Sequence, residues 1–343
     1  MTDTQSHPIP VRQRAVDAHA HAVPGGLLDD LARGAEKFPN ISIEARAGSY
    51  VMSFAGAAPT RPIAPGLTDP QRRESWLRQQ RIVRQVIGGW LDIFGYQLPP
   101  KEGAAWAELL SERLAELAGT DRRLTALGTV PLQDPPAAAE ALRQQRKQGM
   151  PGIMIATRVG ERELDDPALT PLWEAADDTG AVVFLHPGFG GAGPRYAPFG
   201  LLNGLARIED STVAVARLLC AGIPARYPRM RLVVAHGGGA IPYVLGRLAR
   251  NYAIADGAFA DPVESFGYLY FDTVVFDRPA LALLLARAGA DKIMLGSDYP
   301  FPIGDPEPRR VIEESGLSAG DEALILGGTA VRLFGEPAAE DRK

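Results

Sequence analysis

Eight short apolar runs, most followed by Gly, Pro or His, punctuate the chain: RAVDAHAH (14–21), RIVRQVIGGW (81–90), LTALGTVPL (124–132), GIMIAT (152–157), AVVFLHPG (181–188), RLVVAHGG (231–238), LYFDTVVF (269–276) and KIMLGSDYP (292–300). Runs this short, rich in Val, Ile, Leu and Phe, fit strands buried on both faces of a parallel sheet. Between them lie segments with apolar residues at helical spacing, among them DPQRRESWLRQQ, AAWAELLSERLAELA, PAAAEALRQQRKQ, STVAVARLLCAG and AIPYVLGRLARNYA. Eight parallel strands are the number that closes a barrel, so the alternation predicts an α/β fold, a (β/α)8 TIM barrel. It is read as a single domain over 1–343, with SAGDEALILGGTAVRLFG as a C-terminal helical tail. Local punctuation agrees: Asp69-Pro70 and Asp277-Arg278-Pro279 supply helix starts, and Gly149, Gly180 and Gly289 stand where helices stop.

Two connections are longer than barrel loops usually are. Strand one is followed by an insertion of about 22–68, in which ISIEARAGSYVMSF alternates like a β-hairpin with Ala47-Gly48 at its turn. Strand five is followed by GFGGAGPRYAPFGLLNGLARIEDS, about 188–211. Both hang from the C-terminal ends of strands, the face where barrel active sites lie, and are read as lid-like segments.

Charge and composition narrow the partners. Lys and Arg number 36 against 41 Asp and Glu, a net charge of −5, and no basic run exceeds two residues, which argues against nucleic acid. The single cysteine, Cys220, excludes a disulfide within the chain and any Cys-rich metal site. No apolar stretch approaches the roughly 18 residues a spanning helix needs, so no membrane partner is expected. The polar start MTDTQSHPIPVRQR lacks a secretory apolar core, and the expected location is cytoplasmic. Without a GxGxxG after the first strand, or a GxxxxGK[ST], no organic cofactor is expected.

Histidine is scarce, five in all, and four of the five stand at predicted strand ends: His19 and His21 on strand one, His186 on strand five and His236 on strand six. Asp298 ends strand eight. Residues two apart on a strand face the same way, so the His19 and His21 imidazoles project together into the barrel mouth. Neutral imidazoles with a carboxylate suit a borderline divalent ion such as zinc, and a catalytic ion keeps a position open for water. His236 is either a further ligand or the general base that takes a proton from water at the metal; the second is favoured, because an ordinary imidazole titrates near the pKa of such water.

The segments VDAHAHAVP, FLHPG, VVAHGGGAIPYVLGR, FDTVVFD and GSDYPFPIGDP, in that order, resemble the signatures of the amidohydrolase superfamily. The nearest branch is that of the metal-dependent decarboxylases typified by α-amino-β-carboxymuconate-ε-semialdehyde decarboxylase, which ILGGTAVRLFG near the C-terminus also resembles. The resemblance implies His19, His21, His186 and Asp298 as ligands of one divalent ion, zinc with manganese as the alternative, and His236 and Asp298 as catalytic groups. Some branch members carry Glu in place of the first His of the pair, whereas both are His here. Strand four, GIMIATR, offers no Lys to bridge a second ion, so a single metal is expected.

Non-oxidative decarboxylation of a carboxylated aromatic or muconate-like acid is the activity implied. The alternative is hydrolysis or hydration of a lactone, amide or unsaturated acid, because the same ligand set activates water. A carboxylic acid calls for a cation, and Arg247, eleven residues after His236, matches an arginine that reaches a neighbouring subunit's site in the branch. A homodimer or higher oligomer is therefore expected. Arg46 and Arg61 in the first insertion and Arg195 in the second compete for the same role, while Trp90 and Phe189 are candidates for a flat slot, with Tyr299 and Phe301 around Asp298. Asp17 and Asp272 would either orient a ligand or satisfy backbone amides.

Overall fold

The computed structural model describes residues 15–46, 48–188 and 193–336. Twelve strands occur among them: β1 (Ala15–Ala22), β2 (Ile41–Arg46), β3 (Ser49–Phe54), β4 (Ile82–Gly89), β5 (Leu124–Ala126), β6 (Gly152–Ala156), β7 (Arg158–Val159), β8 (Arg162–Glu163), β9 (Val182–His186), β10 (Arg231–Val234), β11 (Tyr270–Asp272) and β12 (Ile293–Met294). Eight of them form two parallel arcs, β1-β4-β5 and β6-β9-β10-β11-β12. The arcs meet where Met154 N donates to Gly128 O at 2.8 Å, and again where Ala18 N donates to Leu295 O and His21 N to Tyr299 O, both at 2.8 Å. The result is the closed eight-stranded barrel that the apolar runs predicted, all eight in chain order.

Period-two alternation divides the core. Ile153, Ile155, Val183, Leu185, Leu232 and Val234 pack outward with the surrounding helices, while Met154, Phe184 and Val233 belong to a second cluster that fills the barrel. The Phe184 ring lies 4.9 Å from that of His19, so the site rests on a hydrophobic floor. Asp69 caps the helix Pro70–Gln79 by accepting from Gln71 N and Arg72 N, and Asp277 caps Arg278–Ala288 by accepting from Ala280 N. The hairpin β2–β3 is antiparallel, Arg46 opposite Ser49 and Gly48 at φ 77°; Ala47 lies outside the described residues.

The last two barrel strands are shorter than their apolar runs. After Asp272 the chain leaves the ladder because that carboxylate captures Val274 N at 3.1 Å, and Phe276 follows at φ 66°. After Met294 it turns toward Asp298, also left-handed at φ 56°. Strand β1 slips by one residue against β4 between Asp17 and Ala20, a bulge at the approach to the two histidines. Among the described residues no helix is long and apolar enough to cross a membrane.

Candidate metal centre

His19, His21, His186, His236 and Asp298 converge at the C-terminal mouth of the barrel. His19, His186, His236 and Asp298 each bring one ligand atom to within 4.8 Å of the others. His21 joins from the same strand as His19, its Nε2 3.2 Å from His19 Nε2 and 3.1 Å from Asp298 Oδ1. Asp298 Oδ1 also lies 3.4 Å from His19 Nε2 and 3.7 Å from His186 Nε2. Ligands held about 2.0–2.1 Å from a tetrahedral ion stand about 3.3–3.4 Å apart, so this spacing fits one metal ion. Both His186 Nε2 and Asp298 Oδ1 are buried without a hydrogen-bond partner, donors of the kind an ion would engage.

The opposite ring nitrogens explain how those lone pairs are aimed. His19 Nδ1 donates to Asp272 Oδ2 at 2.6 Å, His21 Nδ1 to Gly89 O at 3.1 Å and His186 Nδ1 to Pro187 O at 2.9 Å. Each acceptor fixes the proton on Nδ1 and leaves Nε2 free to coordinate. His236 differs: its Nδ1 is buried without a hydrogen-bond partner, and its Nε2 lies 3.5 Å from Asp298 Oδ2, the carboxylate oxygen farther from His21. The residue itself is left-handed at φ 56°, a strained conformation of the sort that collects at functional sites.

Asp272 holds two parts of the site. Besides the His19 ring, its carboxylate accepts His236 N at 3.0 Å and Gly237 N at 2.9 Å. A Cβ on Gly237, which sits at φ 61°, would come within 2.4 Å of Val275 Cγ1. Asp17, by contrast, makes no contact with the His19 ring among its hydrogen bonds. It accepts from His19 N, Ser297 N, Ser297 Oγ and Gln85 Nε2, and Gln85 is in turn held by Arg73, which also donates to His21 O at 2.6 Å. Asp272 therefore orients the His19 ring, and Asp17 ties strand β1 to the segment that carries Asp298.

Electrostatics follow from this dry, charged cluster. Burial pushes the His21 and His186 pKa values below the usual imidazole value, His186 well below. Burial opposes protonation of His19 as well, but the Asp272 hydrogen bond and the Asp298 charge overcome it and raise the pKa. Asp298 is held well below the usual carboxylate range: the histidines around it outweigh its burial. Burial lifts Asp17 to about 6. The cluster thus presents an ionised carboxylate and two neutral imidazoles at neutral pH.

Beside the cluster opens a pocket enclosing about 600 Å³ of space, part of it open to solvent. His186, His236 and Asp298 form its inner end, and Arg61, Arg207, Phe301 and Phe276 stand among its walls. Arg61 pairs with Asp92, and its guanidinium carbon lies 5.3 Å over the Trp90 ring and 5.6 Å over Phe301. Trp90 itself is buried beneath it. Arg61 is one of several arginines that the sequence offers for this role, whereas Arg207, within the connection after strand five but at no strand end, carries no local signal that sets it apart. Arg195, exposed on the turn Pro194–Tyr196, does not line the pocket. Arg247 is exposed on the helix Ile241–Ile254: Ile241, Pro242 and Leu245 face the barrel, and two residues further on the side chain points away. Phe189 lies outside the described residues.

A parallel barrel with a buried His/Asp cluster at the C-terminal mouth defines the metal-dependent barrel enzymes as the class. Within it, the amidohydrolase family model matches residues 16–335, and the chain belongs to that family. It is 30% identical to a 2-amino-3-carboxymuconate-6-semialdehyde decarboxylase of Dictyostelium discoideum, the match covering 80% of this chain and 79% of the other. Among solved structures it resembles 5-carboxyvanillate decarboxylase of Sphingomonas paucimobilis, with a TM-score of 0.79 and 21% identity over 94% of this chain and 99% of that one. A second is a dihydroxybenzoic acid decarboxylase of Polaromonas with bound manganese and the inhibitor 2-nitroresorcinol, with a TM-score of 0.74 and 20% identity over 94% and 96% of the two chains.

Proposed function

We propose that this protein is a metal-dependent, non-oxidative decarboxylase of a carboxylated aromatic or muconate-like acid. The observation that carries the reading is the set of imidazole Nε2 lone pairs, each aimed by an acceptor on its own Nδ1, closing on Asp298 beside a pocket that holds Arg61. The family's relatives, named as decarboxylases, support it.

His19, His21, His186 and Asp298 would hold one divalent ion, zinc by ligand preference, with manganese the alternative that the Polaromonas neighbour brings forward. When bound, such an ion supplies a positive charge that draws anionic substrate oxygens and acidifies water. Arg61, stacked on Trp90 and Phe301, offers a planar fork to a carboxylate lying over flat apolar surface. In the reaction the bond between the ring or chain carbon and the carboxylate breaks, carbon dioxide leaves, and the electron pair stays on carbon. His236, whose Nδ1 no acceptor fixes, takes a proton from water as general base and delivers it to that carbon. The chain acts as one barrel unit, with residues 22–46, 48–68 and 193–211 framing the mouth. Arg247, exposed on its own chain, meets substrate only across an interface with a second copy, so the working unit is a homodimer or larger.

The test is metal analysis of the purified protein, followed by a screen of carboxylated aromatic and muconate-like acids for released carbon dioxide. Release by the loaded protein, lost in His236→Asn with metal content unchanged, is the expected result. A hydrolysed or hydrated product without carbon dioxide would replace this reading with water-activating chemistry at the same cluster.

A further inference from the structure

Arg61 is a long side chain on an irregular stretch of the first insertion, and its side chain is 45% exposed. Left to solvent, such a group samples many rotamers, and ordering it on binding costs entropy that a bound carboxylate would have to offset. One acid removes that freedom in advance. Asp92 accepts from Arg61 Nε at 3.2 Å and from Arg61 Nη2 at 3.4 Å, so its carboxylate grips one edge of the guanidinium. Trp90 and Phe301 present ring faces to the same group, which sets its plane. Edge and plane together fix where the remaining N–H groups point.

The support is rigid where the arginine by itself is not. Trp90 and Asp92 belong to one short turn after β4, closed by Ile93 N donating to Trp90 O at 3.0 Å and Phe94 N to Leu91 O at 3.1 Å. Trp106 Nε1 donates to Ile93 O at 2.7 Å and pins the turn to the helix Pro100–Thr120. The Asp92 side chain is only 9% exposed. Burial raises its pKa above the usual carboxylate value, opposed first by Arg61 and then by Arg207. Arg207 follows a π-turn over Leu202–Ala206, and it donates to Asn203 Oδ1 and Pro187 O. After burial the Arg61 charge lowers the Arg207 pKa, and the charges of Asp298, Asp92 and Asp210 raise it. A buried acid outside the His/Asp cluster thus answers both pocket arginines.

We infer that Asp92 is a positioning residue, which holds the Arg61 guanidinium in the direction that meets a substrate carboxylate. The inference deepens the decarboxylase reading and rests on it for the Arg61 grip. Its consequence is opposite in sign to that of charge alone. Removing a negative charge beside an anion site tightens anion binding, whereas removing the support of the arginine in that site weakens it. Binding itself requires no reaction, so the inference and the decarboxylase reading can fail separately.

The experiment measures benzoate binding to the metal-loaded protein by calorimetry, in the wild type, Asp92→Asn, Asp92→Glu, Arg61→Met and the double variant Arg61→Met with Asp92→Asn. Arg61→Met is expected to weaken benzoate about tenfold, the loss of one charged hydrogen-bonded contact, and Asp92→Asn about fivefold or more. Asp92→Glu, which keeps the charge on a longer stem, recovers part of that loss. The double variant binds no more weakly than Arg61→Met alone, because Asp92 acts through Arg61; a merely structural role would repeat its loss in that background. Metal content and melting temperature establish that each variant is folded; should Asp92→Asn be unstable, Asp92→Ser in both backgrounds makes the same comparison. Benzoate bound equally or more tightly by Asp92→Asn, or an undiminished Asp92→Asn loss in the Arg61→Met background, overturns the inference. Benzoate that the wild type does not bind, or that Arg61→Met binds as well as the wild type, overturns the Arg61 grip and the inference with it. Absence of carbon dioxide release in the substrate screen would overturn the decarboxylase reading and leave the binding comparison standing.

Discussion

His19 Nδ1 and Asp272 Oδ2 lie 2.6 Å apart, and both side chains are completely buried. The same carboxylate holds the backbone amides of His236 and Gly237, so one side chain on β11 sets the direction of the His19 ring on β1 and the position of the proposed base after β10. Its pKa stays below the usual carboxylate value, because the His19 hydrogen bond and charge outweigh burial. Three strands that are far apart in sequence are thereby locked at one point.

Replacing Asp272 with Asn keeps the size but removes the charge that supports His19. Metal affinity is expected to fall about 10–100-fold, the usual cost of losing an outer partner of a ligating histidine. Metal content after dialysis against graded chelator measures this, and unchanged retention would show that Asp272 is only a backbone tether.

Metal affinity also carries a pH signature. Burial keeps His21 and His186 neutral below their usual pKa, so protons do not compete for them near neutrality. The raised pKa of His19 means that its second proton must leave before Nε2 can coordinate. Affinity should therefore tighten by about tenfold per pH unit, a one-proton slope, as pH climbs toward the His19 pKa, and level off above it. Titrations from pH 6 to 8.5 test the slope, and Asp272→Asn should move the plateau to lower pH. A slope of two or three protons would contradict the neutral state of His21 and His186.

Gly296 packs where nothing larger fits. A Cβ there would stand 2.7 Å from Asp272 Cβ and 3.1 Å from His19 Cβ. Gly296→Ala is expected to cost about 1–3 kcal/mol in stability through overpacking, and to weaken metal binding with it. Urea unfolding and metal content, measured on the same preparation, check both effects.

Arg73 is a buried cation whose pKa burial brings down to about 10, and it donates to Gln85 Oε1 and His21 O at 2.6 Å each. Arg73→Met should cost about 3 kcal/mol, since two charge-assisted hydrogen bonds go and buried acceptors are left unsatisfied. Chemical denaturation measures the loss. A change under about 0.5 kcal/mol would mean that the strands carrying the ligands do not depend on this network.

Arg61→Met addresses the carboxylate grip. KM is expected to rise more than kcat falls, by about 10-fold or more, because a ground-state contact to the carboxylate is lost with the base left in place. Steady-state kinetics on whichever acid releases carbon dioxide separate the two parameters.

The barrel and the five residues that meet at its mouth were legible in the sequence alone, and the reason is periodicity. Eight apolar runs specify parallel strands, and a histidine or aspartate at the end of such a run reaches the mouth whatever the details of the loops. His19, His21, His186, His236 and Asp298 were legible for that reason. Tertiary structure decided what no local pattern encodes. It made Asp272 the partner of the His19 ring and Asp17 a tie between strands, although both stand in similar apolar runs. It brought Arg61 and Arg207 into the pocket and left Arg195 and Arg247 on the outside of their own chain. Side chains on long insertions are placed by the packing of distant segments, the Arg61 stack on Trp90 and the π-turn ahead of Arg207, and the chain must close before those contacts exist.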